Sequence, residues 1–386
     1  MKTRMFKTLT VLFLGFSMVS FATNPEHQKK NETPHSKIEE EKKQTIKVAL
    51  LLDTSNSMDG LINQAKTQLW EIVNELSYAK YGIQQPDLKI ALYEYGNDGL
   101  ESSDGYIRQV LSFSTDLDEI SEKLFGLTTN GGQEYCGQVI ASSLKELDWG
   151  KRKNDLRLIF IAGNEPFTQG NINFKEAIAD AKEKDVIINT IYCGNYDTGI
   201  SGKWKEGADL GGGDYMTIDH NKQMVHIVTP YDSDILILNK KLNKTYIYFG
   251  NQGSYKYSNQ STQDTNAKEV AEEVAVKRAV SKSNRFYDNS SWDLVDKSEK
   301  DSIDYSQLDR KKLPKELQGL SNKDLEAYVA EQKKIRSEIK AKINELNNKR
   351  KAFIAKKQSE SVKKNELDNV MIKAIKKQAM RKNYSW

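Results

Sequence analysis

Histidine and cysteine are scarce in this sequence, and several catalytic motifs are missing. Its 386 residues include four histidines and two cysteines. No His-Glu-x-x-His, Gly-x-Ser-x-Gly or Gly-Lys-Ser/Thr motif occurs. These absences argue against a zinc protease, a serine hydrolase and a P-loop nucleotide-binding protein. We therefore do not expect an enzyme.

Long apolar runs are also lacking, except near the N-terminus. Residues 1–22 have a basic leader, an apolar stretch and small residues before an expected cleavage after Ala22, which is typical of a secretory signal peptide. Residues 23–45 are polar, with five lysines against five glutamates, and predict a flexible linker. We expect an exported protein of the periplasm or cell surface, with no transmembrane span after cleavage and no nucleic-acid partner. An uncleaved membrane anchor is the alternative.

From residue 46 to about residue 220, apolar runs alternate with amphipathic segments. This alternation predicts an α/β domain at 46–220, with a doubly wound, mostly parallel sheet flanked by helices. The predicted strands are 48–52, 88–95, 107–113, 156–162, 186–192 and 214–218, and the predicted helices are 58–76, 115–124, 139–147 and 174–184.

The first of these strands ends in three polar side chains, Asp53, Ser55 and Ser57. They lie in a strand-to-helix loop at the carboxyl end of a parallel strand, where open α/β sheets bind ligands. In extended backbone, residues two apart point the same way, so the three side chains can converge. Their hard oxygen atoms suit Mg²⁺, Mn²⁺ or Ca²⁺. The alternative is that Asp53 or Ser55 only caps the following helix.

Placed between a buried strand and an amphipathic helix, this Asp-x-Ser-x-Ser motif resembles the metal-ion-dependent adhesion site of the von Willebrand factor type A family. The resemblance covers about residues 46–218 and implies a Rossmann-like fold with a Mg²⁺ (or Mn²⁺ or Ca²⁺) site that binds a protein ligand. The family's second loop reads Gly-Gly-Thr-x-x-Gly, and here Glu134 stands in the threonine position. A shifted loop would offer Thr128 or Thr129 instead.

The third loop of the family carries an aspartate after a buried strand, and this chain has Gly163 there. Asn164 or Glu165 must then supply the missing oxygen, so the resemblance implies a metal set of Asp53, Ser55, Ser57, Glu134, Asn164 and Glu165. A carboxylate at position 134 adds a second negative charge near the ion. We expect it to strengthen metal retention and to weaken recruitment of an acidic ligand.

The two cysteines, Cys136 and Cys193, are both expected at the metal-facing end of the sheet. An exported protein meets an oxidising compartment, where disulfides persist. A disulfide between them and two buried free thiols are the two alternatives.

Beyond the sheet, residues 221–306 predict an accessory α/β segment that packs on the first domain. It is expected to contain a helix around Leu236, a strand-like stretch at 245–250, a polar loop at 251–266, a short helix at 270–281 and an aromatic anchor at Trp292.

Residues 307–386 hold 22 basic and 10 acidic residues, a net charge of +12, and predict a mainly helical region. An apolar stripe from Asn322 onwards needs a partner, so we expect a coiled coil or a helical hairpin. The basic charge suits self-association, an acidic partner, a membrane surface or the chain's own first domain. A solvated lysine-rich helix face is the alternative.

Together these features resemble exported bacterial proteins that have a von Willebrand factor type A domain followed by a helical region. We expect an extracytoplasmic, metal-dependent protein-binding or adhesion and scaffold module. The alternatives are a structural envelope protein with a vestigial metal site and a metal-assisted envelope hydrolase.

Overall fold

A computed structural model of the protein describes residues 43–218, 227–360 and 366–386. A fully buried nine-residue strand lies inside its main sheet. The side chains of Ser57, Glu360 and residues 366–369 are outside this description, as are the predicted signal peptide and residues 23–42 of the predicted linker. The described strands are β1 (Thr45–Asp53), β2 (Lys80–Tyr81), β3 (Asp87–Tyr95), β4 (Ile107–Ser114), β5 (Leu156–Gly163), β6 (Ile187–Cys193), β7 (Gly212–Ile218) and β8 (Tyr384–Ser385).

Six of these strands form one sheet in the order β4-β3-β1-β5-β6-β7. Only β4 is antiparallel to its neighbour, β3, and the other pairings are parallel. The predicted mostly parallel α/β sheet is therefore confirmed. Strands β1, β3, β5 and β6 end at one edge of the sheet, where Asp53 lies opposite Tyr95 in the pairing of β1 with β3.

Helices cover both faces of the sheet, as a doubly wound fold requires. Side chains of α3, α4 and α6 form the core on one face, and those of α1, α2 and α12 contribute to the core on the other. The described α-helices are α1 (Asp59–Leu76), α2 (Leu117–Phe125), α3 (Cys136–Glu146), α4 (Phe174–Glu183), α5 (Tyr196–Ser201), α6 (Trp204–Gly211), α7 (Asp232–Asn243), α8 (Gly253–Val270), α9 (Glu272–Ser281), α10 (Leu294–Lys300), α11 (Asn322–Glu360) and α12 (Glu366–Met380). None of them is long and apolar enough to cross a bilayer.

The accessory segment differs from its prediction between residues 245 and 270. The expected polar loop is the helix α8, and the expected strand is reduced to a single bridge between Tyr248 and Asp293. The helix buries polar residues, and Gln263 accepts a hydrogen bond of 2.8 Å from Ser121 of α2. Because hydrogen bonds hold its inner face, α8 has no apolar periodicity for a sequence pattern to detect.

A buried charge cluster ties α8 to α9. The Asp264 carboxylate accepts hydrogen bonds from Arg278 Nε at 2.7 Å and from Lys282 Nζ at 2.9 Å. Although burial alone would raise the pKa of Asp264, these two cations hold it well below its usual range. Arg278 also donates to Asp118 of α2 at 2.8 Å. The cluster joins the accessory helices to the sheet domain.

The apolar stripe of α11 packs against other helices of the same chain, namely α7, α9 and α10. Its buried arginines reach acids of these helices: Arg336 contacts Asp293 and Asp296, and Arg350 donates to Asp232 at 2.9 Å. The partner of α11 is therefore the set of helices α7, α9 and α10, whereas the sequence predicted a coiled coil or a helical hairpin.

The helix α12 packs on α1 and β7. Lys377 pairs with Asp214 at 2.6 Å, and Gln378 Nε2 donates to Asn189 of β6 at 2.6 Å. Part of the basic charge of residues 307–386 is therefore neutralised by acids of the same chain. The domain boundaries within residues 43–386 stay predictions, because these residues form one compact unit.

Candidate metal centre

The first loop of the site follows β1 and buries two oxygen atoms that make no hydrogen bond. Asp53 is fully buried, and its Oδ1 accepts a hydrogen bond of 2.7 Å from the main-chain N–H of Ser55. Asp53 Oδ2 and Ser55 Oγ are also buried but have no such partner. Buried polar atoms are nearly always satisfied, so two orphaned oxygens two residues apart in one loop need an explanation. A cation held between them supplies one.

The second loop brings Glu134 to the same place. Only 3 % of its surface is exposed, and its Oε2 accepts from the main-chain N–H of Glu165 at 3.2 Å. Burial raises the pKa of Asp53 and the adjacent Glu134 carboxylate raises it further, while burial also raises the pKa of Glu134. Both shifts reflect two acidic groups packed together away from water.

Gly96 makes room for this carboxylate pair. Its φ is +80°, and a Cβ added to it would lie 2.9 Å from both Asp53 Oδ1 and Glu134 Cγ. The backbone conformation and the close approach both require glycine at this position.

In the third loop, the space beside Gly163 is occupied by the side chain of Tyr95, a residue that sequence reasoning missed. A Cβ added to Gly163 would lie 2.5 Å from Tyr95 Oη and 3.2 Å from Asp53 Oδ2. The fully buried Tyr95 hydroxyl donates to the Ala162 carbonyl at 2.8 Å. The phenol of Tyr95 thus occupies the volume that a side chain at position 163 would need. Its role depends on the register of β1 with β3, which places Tyr95 opposite Asp53.

The remaining predicted site residues have different placements. Glu165 is exposed and reaches the site through its main-chain N–H, and Asn164 is half-buried. Thr129, one of the two threonine alternatives, donates its hydroxyl to Asp59. The side chain of Ser57 lies outside the described residues.

The two cysteines are free and buried. Cys136 packs in the core that contains α3 and α4, whereas Cys193 packs in the core on the α1 side. Because the sheet separates the two thiols, the disulfide alternative does not apply to this structure. The other alternative, two buried free thiols, is what the structure shows.

The donor set at this edge fits a hard divalent cation. Asp53, Glu134 and Ser55 offer two carboxylates and a hydroxyl, which is the oxygen chemistry that Mg²⁺, Mn²⁺ and Ca²⁺ prefer. Within the described ranges, no group of three or more His, Cys, Asp or Glu residues could hold a metal ion. Water or main-chain oxygen would therefore have to complete the coordination.

A family model described as "von Willebrand factor type A domain" matches residues 47–199. No curated protein sequence matches the chain. Among solved structures, "conserved hypothetical protein BatB from Bacteroides thetaiotaomicron" is 16 % identical, with 45 % of this chain and 90 % of that chain covered and a TM-score of 0.35. The "SpRpn10 VWA domain" is 14 % identical, with coverages of 46 % and 90 % and a TM-score of 0.35. Proximal thread matrix protein 1 from the mussel byssus, "with zinc occupied MIDAS motif", is 11 % identical, with coverages of 47 % and 43 % and a TM-score of 0.33.

Proposed function

We propose that residues 47–199, which match the family model of the von Willebrand factor type A domain, form a protein-binding module that depends on a divalent cation. The observation that carries the proposal is the pair of orphaned, buried oxygens, Asp53 Oδ2 and Ser55 Oγ, beside the Glu134 carboxylate. In this proposal Asp53, Ser55 and Glu134 hold the ion, with Mg²⁺ as the expected cation and Mn²⁺ or Ca²⁺ as substitutes.

The bound cation would supply positive charge to a pair of buried carboxylates that otherwise repel each other. Asp53 anchors the first loop to the end of β1, and its Oδ1 fixes the turn by accepting from Ser55 N–H. Glu134 links the second loop to the third through the Glu165 N–H. A cation held by Asp53, Ser55 and Glu134 would join the first loop to the second, and the hydrogen bond from Glu165 N–H to Glu134 extends this link to the third loop, so that the three loops would form the surface offered to a partner.

The location and the absence of catalysis are parts of the same proposal. The composition of residues 1–22 supports export to the periplasm or cell surface. The missing hydrolase and nucleotide-binding motifs support a binding role and not an enzymatic one. A partner could also contact the basic helices of residues 307–386, through an acidic surface or a second copy of the chain.

A structural protein with a vestigial metal site is the second candidate. It is favoured by Gly163, since Tyr95 leaves no space for a third acidic side chain there. The two candidates differ in whether the native state gains stability from the ion.

Calorimetric unfolding of the full chain, stripped of metal and then titrated with Mg²⁺ and Mn²⁺, tests the proposal. Specific binding to the native state stabilises by about 2.7 kcal/mol at a hundredfold excess over the dissociation constant. We expect Asp53→Asn to abolish this response and the exposed Asp59→Asn to retain it. Without metal, Glu134→Gln should raise the melting temperature, because it removes one of two like charges. If neither ion stabilises the wild-type chain, the site is vestigial.

A further inference from the structure

The connections at the carboxyl edge of the sheet are strongly acidic. Those that the structure describes comprise residues 54–60, 96–106, 126–135, 164–173 and 194–203, and we call them the edge loops. Apart from the buried Glu134, six exposed residues give the edge loops their negative charge: Asp59, Asp98, Glu101, Asp104, Glu165 and Asp197.

Among the described residues, few basic side chains offset this charge, and one of them is Lys66 of α1, which interacts electrostatically with Asp59. The sole lysine or arginine in the edge loops is Lys203, whose Nζ already pairs with Glu206 at 3.1 Å. Arg108, just beyond the second of these loops, pairs with the buried Glu94. None of the six exposed acids forms an ion pair with a residue that the structure describes. Their charge therefore faces solvent and remains available to a partner.

A cation bound at the centre of this face does not reverse the negative charge of the edge loops. Asp53 and Glu134 together carry the charge that neutralises a divalent ion, and Asp53, Glu134 and Ser55 are each at least nine-tenths buried. A neutral, buried site has neither the net positive charge nor the exposure to draw in a carboxylate from outside. The charge that a partner meets is the negative charge of the edge loops.

Apolar groups on the same loops complete the surface. Ile172, Tyr196 and Ile200 are 38 %, 50 % and 38 % exposed. Lysine and arginine side chains pack their apolar stems on such groups and place their cationic ends over aromatic rings or near carboxylates.

From the acidic edge loops around a charge-neutral, buried cation site, we propose that this face binds a lysine- or arginine-rich segment of a partner protein and not an acidic one. The inference rests on the proposed cation-dependent binding function and adds the chemistry of the partner. Complementary charge raises association rates and excludes partners of the wrong sign.

Binding of fluorescent oligo-lysine and oligo-glutamate peptides of equal length to the full chain, with Mg²⁺ and at near-physiological ionic strength, tests the proposal. We expect oligo-lysine to bind at least about tenfold tighter than oligo-glutamate. The variant Asp98→Asn/Glu101→Gln/Asp197→Asn should slow oligo-lysine association about tenfold.

The matched control, Asp180→Asn/Glu183→Gln/Glu269→Gln, neutralises three exposed acids outside the edge loops and should leave association unchanged. Tighter binding of oligo-glutamate, or equal slowing by both triple variants, would overturn the proposal. Disruption of self-association of the chain by oligo-lysine would also support it.

The stability measurement on metal addition separates the two proposals. If Mg²⁺ stabilises the chain but oligo-lysine is not preferred, only the partner chemistry is wrong. A different result is that oligo-lysine is preferred and its binding is lost in the edge-loop variant, although no metal stabilises the chain. This result would support the acidic binding face and contradict the cation dependence.

Discussion

Arg336 is fully buried in the middle of α11 and forms ion pairs with two carboxylates at the start of α10. Its Nη1 contacts Asp293 at 2.5 Å and Asp296 at 2.6 Å, and its Nη2 donates to the Thr245 carbonyl at 2.7 Å. The guanidinium also lies 3.9 Å from the centre of the Tyr246 ring. We predict that Arg336→Met is among the most destabilising substitutions in the chain.

The magnitude follows from what the substitution leaves behind. Methionine fills a similar volume, so the loss is mainly electrostatic, and Asp293 remains with no exposed side-chain surface and no cation beside it. Removing one partner of a buried ion pair costs about 3–5 kcal/mol. Burial already raises the pKa of Asp293 against the opposing effect of Arg336, so the variant should take up a proton there on folding.

Urea unfolding of the full chain, monitored by tryptophan fluorescence, measures the difference. The control is Lys334→Met, an exposed position on the same helix, for which we expect a change within about 0.5 kcal/mol. Adding Asp296→Asn to Arg336→Met should cost less than the sum of the two single changes, because Asp296 has already lost its 2.6 Å contact with Arg336 and its remaining ion-pair partner, Lys340, lies 3.9 Å away. A loss for Arg336→Met of no more than about 1 kcal/mol would refute this account of how α11 is held.

Three further predictions concern the site and the cores. Gly96→Ala should lower the free energy of unfolding by about 1–3 kcal/mol and abolish the stabilisation by metal, because position 96 combines a positive φ with close contacts. Gly82→Ala is the control, because position 82 has a positive φ but open space around it, and this variant should keep the stabilisation by metal. Because the folded-state pKa of Asp264 is depressed, its contribution to stability is fully present above about pH 4, the ordinary value, and is lost as the pH falls further. Acid titration should therefore show a shallower decline for Asp264→Asn than for the wild type. A thiol reagent should modify both cysteines only after unfolding, since both are buried and free; a single modified thiol, or none, in the unreduced unfolded chain would contradict this.

The strands and helices of the sheet domain were predictable because they bury apolar residues at regular intervals. The run before Asp53 is buried at every position, and α1 buries Leu61, Leu69 and Leu76 on one side. The helix α8 was not predictable in this way, because its inner face consists largely of polar residues such as Asn259, which donates a hydrogen bond to Glu122 of α2. Periodicity reports apolar burial and is insensitive to polar burial.

The candidate metal centre was predictable where one loop contains several of its groups. Asp53 and Ser55 are two positions apart in the chain, and the apolar strand before them and the amphipathic helix after them are enough to indicate the site. Tyr95 reaches the site from another strand, so its role depends on the register of β1 with β3. No local motif records that register, which is why Tyr95 was missed.

Positions 95 and 163 share a single volume beside Asp53, so their side chains are constrained as a pair. A larger residue at position 163 requires a smaller one at position 95, because the phenol oxygen lies 2.5 Å from the place of a new Cβ. Gly163→Asp alone should therefore be poorly tolerated, and Gly163→Asp with Tyr95→Ser should relieve the clash with the phenol, while Trp204 Cη2 still lies 3.2 Å from the new Cβ. The paired exchange would give the third loop a carboxylate, so the steric exclusion between these two positions limits how many acidic groups this chain can place at the candidate metal centre.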